Sequence, residues 1–116
     1  MPAGVTAYLG LGANLGRPEQ TLAAAVEAIR NWPEVQVRAV SRLYHSAPMG
    51  PQNQPDFCNA VVEVCTRQTA VGLLQLGQQV EAAFGRVRHE HWGARSLDID
   101  VLLYGDEQIH TPSLHV

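Results

Sequence analysis

Four stretches of this chain alternate apolar residues with a period of two, and two stretches between them repeat at helical spacing. Val5 to Leu11 alternates and runs into the glycine-rich Gly10-Leu-Gly12-Ala-Asn14-Leu-Gly16. Pro18 suits a first helical position, and Leu22, Val26 and Ile29 then give a helix to about Arg30. Val35 to Tyr44 and Phe57 to Cys65 alternate as a second and third strand. Thr69 is a good N-cap for a second helix, whose stripe is Leu73, Leu76, Val80 and Phe84 and whose stop is Gly85. Leu97 to Tyr104 is the fourth strand, and Gly105-Asp106 turns into a short Gln108–His110 segment. The order β-α-β-β-α-β is a split βαβ unit, an α+β arrangement. It predicts one four-stranded antiparallel sheet with both helices on one face, as a single domain over residues 1–116.

That fold decides which side chains share the uncovered face. In Arg95-Ser-Leu-Asp98-Ile-Asp100-Val-Leu-Leu, the residues Leu97, Ile99, Val101 and Leu103 point to a core, so Asp98 and Asp100 project together on the other face. Two adjacent carboxylates repel, which favours a cation between them; the bland reading is a solvated strand face. Arg86, Arg88 and Arg95 lie just upstream, with Trp92-Gly93 between them. Hard-cation ligands beside guanidinium groups point to a magnesium-nucleotide site. On the third strand, Phe57 and Asn59 fall on the same open face, while Cys58, Ala60, Val62 and Val64 face the core. Phe57 and Asn59 could form a platform for a flat heterocycle or pack under the loop from Ser46 to Pro55, which holds three prolines and a glycine.

Other groups carry less. Glycines 10, 12 and 16 miss the Gly-x-Gly-x-x-Gly pattern by one residue, so a tight turn is the better reading. Gln78 and Glu81, three apart on the flank of the second helix, read as solvated surface. His89, Glu90 and His91 read as a polar loop, and His45, His110 and His115 are isolated. Cys58 and Cys65 are seven residues apart, roughly 23 Å at strand rise, and on opposite faces; they cannot pair. Without a ligand-like neighbour, each reads as buried packing, and two free thiols fit a reducing cytoplasm.

Formal charge is −3, which argues against nucleic-acid binding by bulk electrostatics, and a lone exposed Phe57 argues against an RNA-binding sheet. All eight basic residues are arginine, so lysine-based nucleophilic or P-loop chemistry is excluded. No run of 18 apolar residues occurs and the first residues lack a signal-peptide pattern; the expectation is a soluble cytoplasmic protein with no membrane partner. A metal-dependent nuclease would use Asp98-x-Asp100 but would leave the Phe57–Asn59 platform without a role.

Taken together, these segments resemble 6-hydroxymethyl-7,8-dihydropterin pyrophosphokinase of folate biosynthesis. The likeness runs through Leu9-Gly-Leu-Gly-Ala-Asn14-Leu, Tyr44-His-Ser46-Ala-Pro48-Met-Gly50-Pro-Gln-Asn-Gln-Pro-Asp-Phe57-Cys-Asn59-Ala, Gly85-Arg-Val-Arg88 and His91-Trp92-Gly-Ala-Arg95-Ser-Leu-Asp98-Ile-Asp100-Val-Leu. It implies a ferredoxin-like core and transfer of the pyrophosphoryl group of ATP to the pterin hydroxymethyl oxygen, with release of AMP. It further implies that Asp98 and Asp100 hold two magnesium ions and that Arg86, Arg88 and Arg95 bind the phosphates, Trp92 lying in the same loop. Gln78, Glu81 and the Val101 backbone would line the adenosine pocket. Ser46, Ala47 and Met49 would meet the pterin largely through backbone atoms, Asn59 would bond its edge and Phe57 would stack on it. The implied partners are ATP and 6-hydroxymethyl-7,8-dihydropterin, with the protein a monomer.

Family members continue past the point matching Val116, with a Pro-His element, a further arginine and a second aromatic over the pterin. The chain is therefore expected to be C-terminally short, and a non-catalytic nucleotide- or pterin-binding module is the alternative function. The loop between Arg88 and Trp92 is also one residue shorter than in some relatives.

Overall fold

Strand β1 (Val5–Ala13) buries Ala7, Leu9, Leu11 and Ala13 on one face, as its alternation requires, and runs two residues further than its sequence pattern suggests. The computed structural model describes residues 4–14, 16–46, 56–85 and 97–108. Helix α1 (Pro18–Arg30) opens on Pro18, whose fixed φ suits the first turn, and carries Glu19 there, where a carboxylate meets the positive end of the helix dipole. Its buried stripe is Leu22, Ala25, Val26 and Ile29. At its end the Asn31 N–H donates to the Ala28 carbonyl and the Trp32 N–H to the Ile29 carbonyl, both at 3.1 Å, closing the last turn.

The expected second strand divides into β2 (Val35–Val40) and β3 (Tyr44–Ser46). Both pieces pair antiparallel with β4 (Phe57–Thr66), but the register slips between Val37 and Ala39, and the chain leaves the ladder at 41–43. Ser41 pins the gap: its N–H donates to the Val61 carbonyl at 2.8 Å, and its Oγ accepts from the Val61 N–H at 2.8 Å. Helix α2 (Ala70–Gly85) starts as Thr69 predicts, with Thr69 Oγ1 accepting from the Gly72 N–H at 2.9 Å. Leu73 and Val80 are buried, and Leu76 and Phe84 pack against the core. Gly77 lets α2 approach the sheet closely, because a Cβ there would meet Ile99 Cγ2 at 3.2 Å.

Strand β5 (Asp98–Tyr104) lies antiparallel to β1, and a two-residue β6 (Glu107–Gln108) pairs with its end. A bulge between the β1 residues Tyr8 and Leu9 overturns one expectation. Tyr8 pairs with Leu103 and Leu9 with Val101, leaving Leu102 extra, so side chains beyond it swap faces. Leu103 is exposed instead of core, and Tyr104 packs against the core with its hydroxyl donating to the Gln68 carbonyl at 2.7 Å.

The sheet order is β2-β4-β1-β5-β6, with β3 also on β4. This is the expected split βαβ order, with six strands in place of four because the second strand is broken and β6 is added. Both helices pack on one face, where Leu9, Leu22, Ile29, Val62, Leu73 and Val101 are essentially inaccessible. Burying each such side chain contributes about 1.5–3 kcal/mol relative to exposure. Among the described residues no helix is long and apolar enough to cross a membrane.

Candidate active site

The face of the sheet away from the helices holds a concavity of about 560 Å³, lined by residues of β1, β3, β4 and β5. Its layout follows from register. Tyr44 pairs with Asn59, Asn59 with Gly12, and Gly12 with Asp98; one step along, Val61 pairs with Gly10 and Gly10 with Asp100. Asn59 and Asp98 therefore stand two strand spacings apart, roughly 10 Å, with a glycine between them. Gly10 and Gly12 lie within β1 and not in a turn, which corrects the tight-turn reading; of glycines 10, 12 and 16, only Gly16 has the positive φ of a turn glycine, +64°. Their bare backbone is a trough. A Cβ on Gly12 would meet Asn59 Oδ1 at 3.1 Å, and one on Gly10 would meet Leu102 Cδ1 at 3.2 Å.

One wall of the trough is polar and preset. Asn59 Nδ2 donates to Ser46 Oγ at 2.8 Å and, at 3.4 Å, to the Phe57 carbonyl. Phe57, Asn59 and Ser46 thus act together, and Phe57 is only partly buried, leaving part of its surface on the concavity. Tyr44 and Leu102, both exposed, complete the lining with Val61. The opposite wall carries Asp98 and Asp100, both half-buried, two residues apart on one strand face. Below the sheet edge, Glu81 on α2 is partly buried, and its Oε2 accepts from the Ile99 N–H at 2.7 Å. That bond shows that Ile99 turns its backbone to the outer edge of β5, and strand alternation puts Val101 on the same edge.

The helix-side face of the same wall holds Cys58, and here another expectation changes. Cys58 and Cys65 are both buried and unbridged, as expected, but Cys58 does have ligand-like neighbours, His45 and Glu19. Burial, then the Glu19 charge, push its thiol above the usual 9.0, while the Asn59 backbone N–H draws it down.

Residues 8–116 match the family model for 7,8-dihydro-6-hydroxymethylpterin-pyrophosphokinase. The chain belongs to this family. It is 43% identical to 2-amino-4-hydroxy-6-hydroxymethyldihydropteridine pyrophosphokinase of Haemophilus influenzae, over 97% of this chain and 70% of that one. The protein of the same name from Pseudomonas aeruginosa is 42% identical over 94% of this chain and 67% of its own. For that of Bacillus subtilis the figures are 40%, 95% and 66%. The chain thus spans about two-thirds of the length of these pyrophosphokinases.

Of the residues singled out from the sequence, Ser46, Phe57, Asn59, Asp98 and Asp100 meet in the concavity. Gln78 is exposed on α2 one turn before Glu81, away from that lining. Ala47, Met49, Arg86, Arg88, Trp92 and Arg95 lie outside the described residues, as do His89, Glu90, His91, His110 and His115. Sequence reasoning gave no role to Gly10, Gly12, Tyr44 or Leu102. Two glycines at alternate positions of one strand were the available signal for the trough, since a strand interior otherwise disfavours glycine.

Proposed function

We propose that this chain binds ATP with magnesium and 6-hydroxymethyl-7,8-dihydropterin on the open face of its sheet and joins them by pyrophosphoryl transfer. The observation carrying this reading is that the Asp98–Asp100 pair and the Ser46–Asn59–Phe57 group line one concavity in a member of the pyrophosphokinase family. The pterin hydroxymethyl oxygen attacks the β-phosphorus of ATP, the bond from that phosphorus to the α-bridging oxygen breaks, AMP departs and the hydroxyl proton is released. Such a reaction needs positioning and charge stabilisation more than a covalent protein group.

Asp98 and Asp100 offer hard oxygen donors side by side, the donor chemistry magnesium prefers, and they would hold it, as two ions by the resemblance. Bound there, magnesium supplies charge neutralisation along the phosphate chain. Arg86, Arg88 and Arg95 offset the remaining phosphate charge, Trp92 sharing their loop. Asn59, oriented by Ser46, bonds the pterin edge; Phe57 stacks on the ring; Ala47 and Met49 offer backbone groups. Gln78, Glu81 and the outer-edge backbone at Val101 serve the adenosine. All these residues come from one chain, which suits a monomer, and the free thiols suit a reducing cytoplasm.

An AMP-release assay tests the proposal. AMP should form only when ATP, magnesium and the pterin are all present, and Asp98→Ala or Asp100→Ala should reduce the rate by roughly a hundredfold or more. AMP formed equally without the pterin would overturn the acceptor assignment. Binding of both ligands with no AMP would make the chain a binding module instead.

A further inference from the structure

The alternation that presents Phe57, Asn59, Tyr44 and Ser46 to the concavity turns their neighbours the other way. Cys58 lies between Phe57 and Asn59 on β4, and His45 lies between Tyr44 and Ser46 on β3. Cys58 and His45 are register partners, so their side chains leave the sheet side by side. Glu19, in the first turn of α1, meets them there. The Cys58 sulfur, a His45 ring nitrogen and a Glu19 carboxylate oxygen all lie within 4.8 Å of one another. Cys58 is buried, whereas His45 and Glu19 are exposed, so the cluster has an inner anchor and an open side. Among the described residues, no hydrogen bond or ion pair engages the Glu19 carboxylate or the His45 imidazole.

We propose that Cys58, His45 and Glu19 form a second metal site, for a zinc-class divalent ion, on the opposite side of the sheet from Asp98 and Asp100. Sulfur, nitrogen and carboxylate oxygen are the ligand types zinc takes, and three protein ligands leave a fourth position for water. The soft sulfur sets this site apart from the all-oxygen aspartate pair, so the two select different ions. Zinc–ligand bonds of about 2.0–2.3 Å put ligand atoms of a tetrahedral site roughly 3.3–3.8 Å apart. Closing the cluster to that spacing takes at most roughly 1.5 Å between any two ligand atoms, within reach of the exposed His45 and Glu19 side chains. The ligands come from α1, β3 and β4. An ion bound there would staple the three-residue edge strand β3 to the helix layer behind Ser46, Asn59 and Phe57.

Cobalt(II) titration of the full chain, stripped of metal with a chelator that is then dialysed away, tests the site. One equivalent should develop a thiolate-to-cobalt charge-transfer band in the near ultraviolet together with intense tetrahedral visible bands. Zinc should abolish both and excess magnesium should not. Cys58→Ser should remove the charge-transfer band, whereas Cys65→Ser and Asp98→Ala should keep it. His45→Ala and Glu19→Gln, at exposed positions that leave the fold intact, should each weaken cobalt binding by roughly tenfold or more. These two variants decide the matter even if Cys58→Ser fails to fold. Absence of the band in the parent chain would overturn the proposal. So would its survival at full affinity in both exposed variants, or its loss in Cys65→Ser. No readout depends on turnover, so this site and the pyrophosphokinase reading can fail separately.

Discussion

Gly12 holds the two halves of the concavity apart. It sits between Asn59 and Asp98 in register, and the Asn59 side-chain oxygen Oδ1 is where its Cβ would need room. Gly12→Ala should therefore turn Asn59 off its bond to Ser46 and weaken pterin binding by roughly tenfold, a typical cost for losing one or two oriented hydrogen bonds. Its effect on the affinity for a non-hydrolysable ATP analogue should be much smaller, and titration of each ligand separately checks the difference. Ser46→Ala acts on the same pair from the other side. It should raise KM for the pterin by about two- to tenfold with kcat little changed, because it removes an orienting bond worth about 0.5–1.5 kcal/mol. Equal loss of affinity for both ligands would mean that the wall and the acids do not divide the substrates.

At the scale of elements, α2 anchors the acidic strand. Glu81 caps the otherwise unpaired Ile99 N–H between Asp98 and Asp100, so Glu81→Ala should cost about 1–3 kcal/mol of stability, read by urea denaturation, and should slow turnover as well. Thr69→Ala removes only the start of the helix: about 1 kcal/mol lost, with activity unchanged. Both helices were legible in the sequence because Pro18, Thr69 and the apolar stripes agree on start and face. The strands were legible where alternation runs unbroken, which covers Phe57 to Cys65 and Leu97 to Val101. Beyond that, two departures from the pattern each trace to one added residue. A bulge beside Val37 and another at Leu102 shift the period by one, and a pattern of types along the chain does not say where a ladder slips. Leu103 and Tyr104 exchanged places for that reason.

Across the whole molecule, long-range pairing creates what no local pattern contains. The acids and the Phe57–Asn59 face could be assigned to one surface from alternation alone, but the placing of Gly12 between Asn59 and Asp98 and the Glu19–His45–Cys58 cluster depend on residues brought together from distant positions. The topology also grades stability. β1 pairs along both edges and is covered by the helices, whereas β3 is three exposed residues on one neighbour. Native-state amide exchange should accordingly be slowest in Leu9 and Leu11 and fast in β3, with protection of β3 rising when the pterin and an ATP analogue are bound.

In the proposed function, the open sheet face holds ATP through Asp98 and Asp100. Calorimetric titration with a non-hydrolysable ATP analogue, with and without magnesium, addresses that claim directly. The wild-type chain should bind only when magnesium is present, and Asp98→Ala and Asp100→Ala should each lose at least roughly tenfold in affinity. Equal heats and affinities for the wild type and both variants would contradict it.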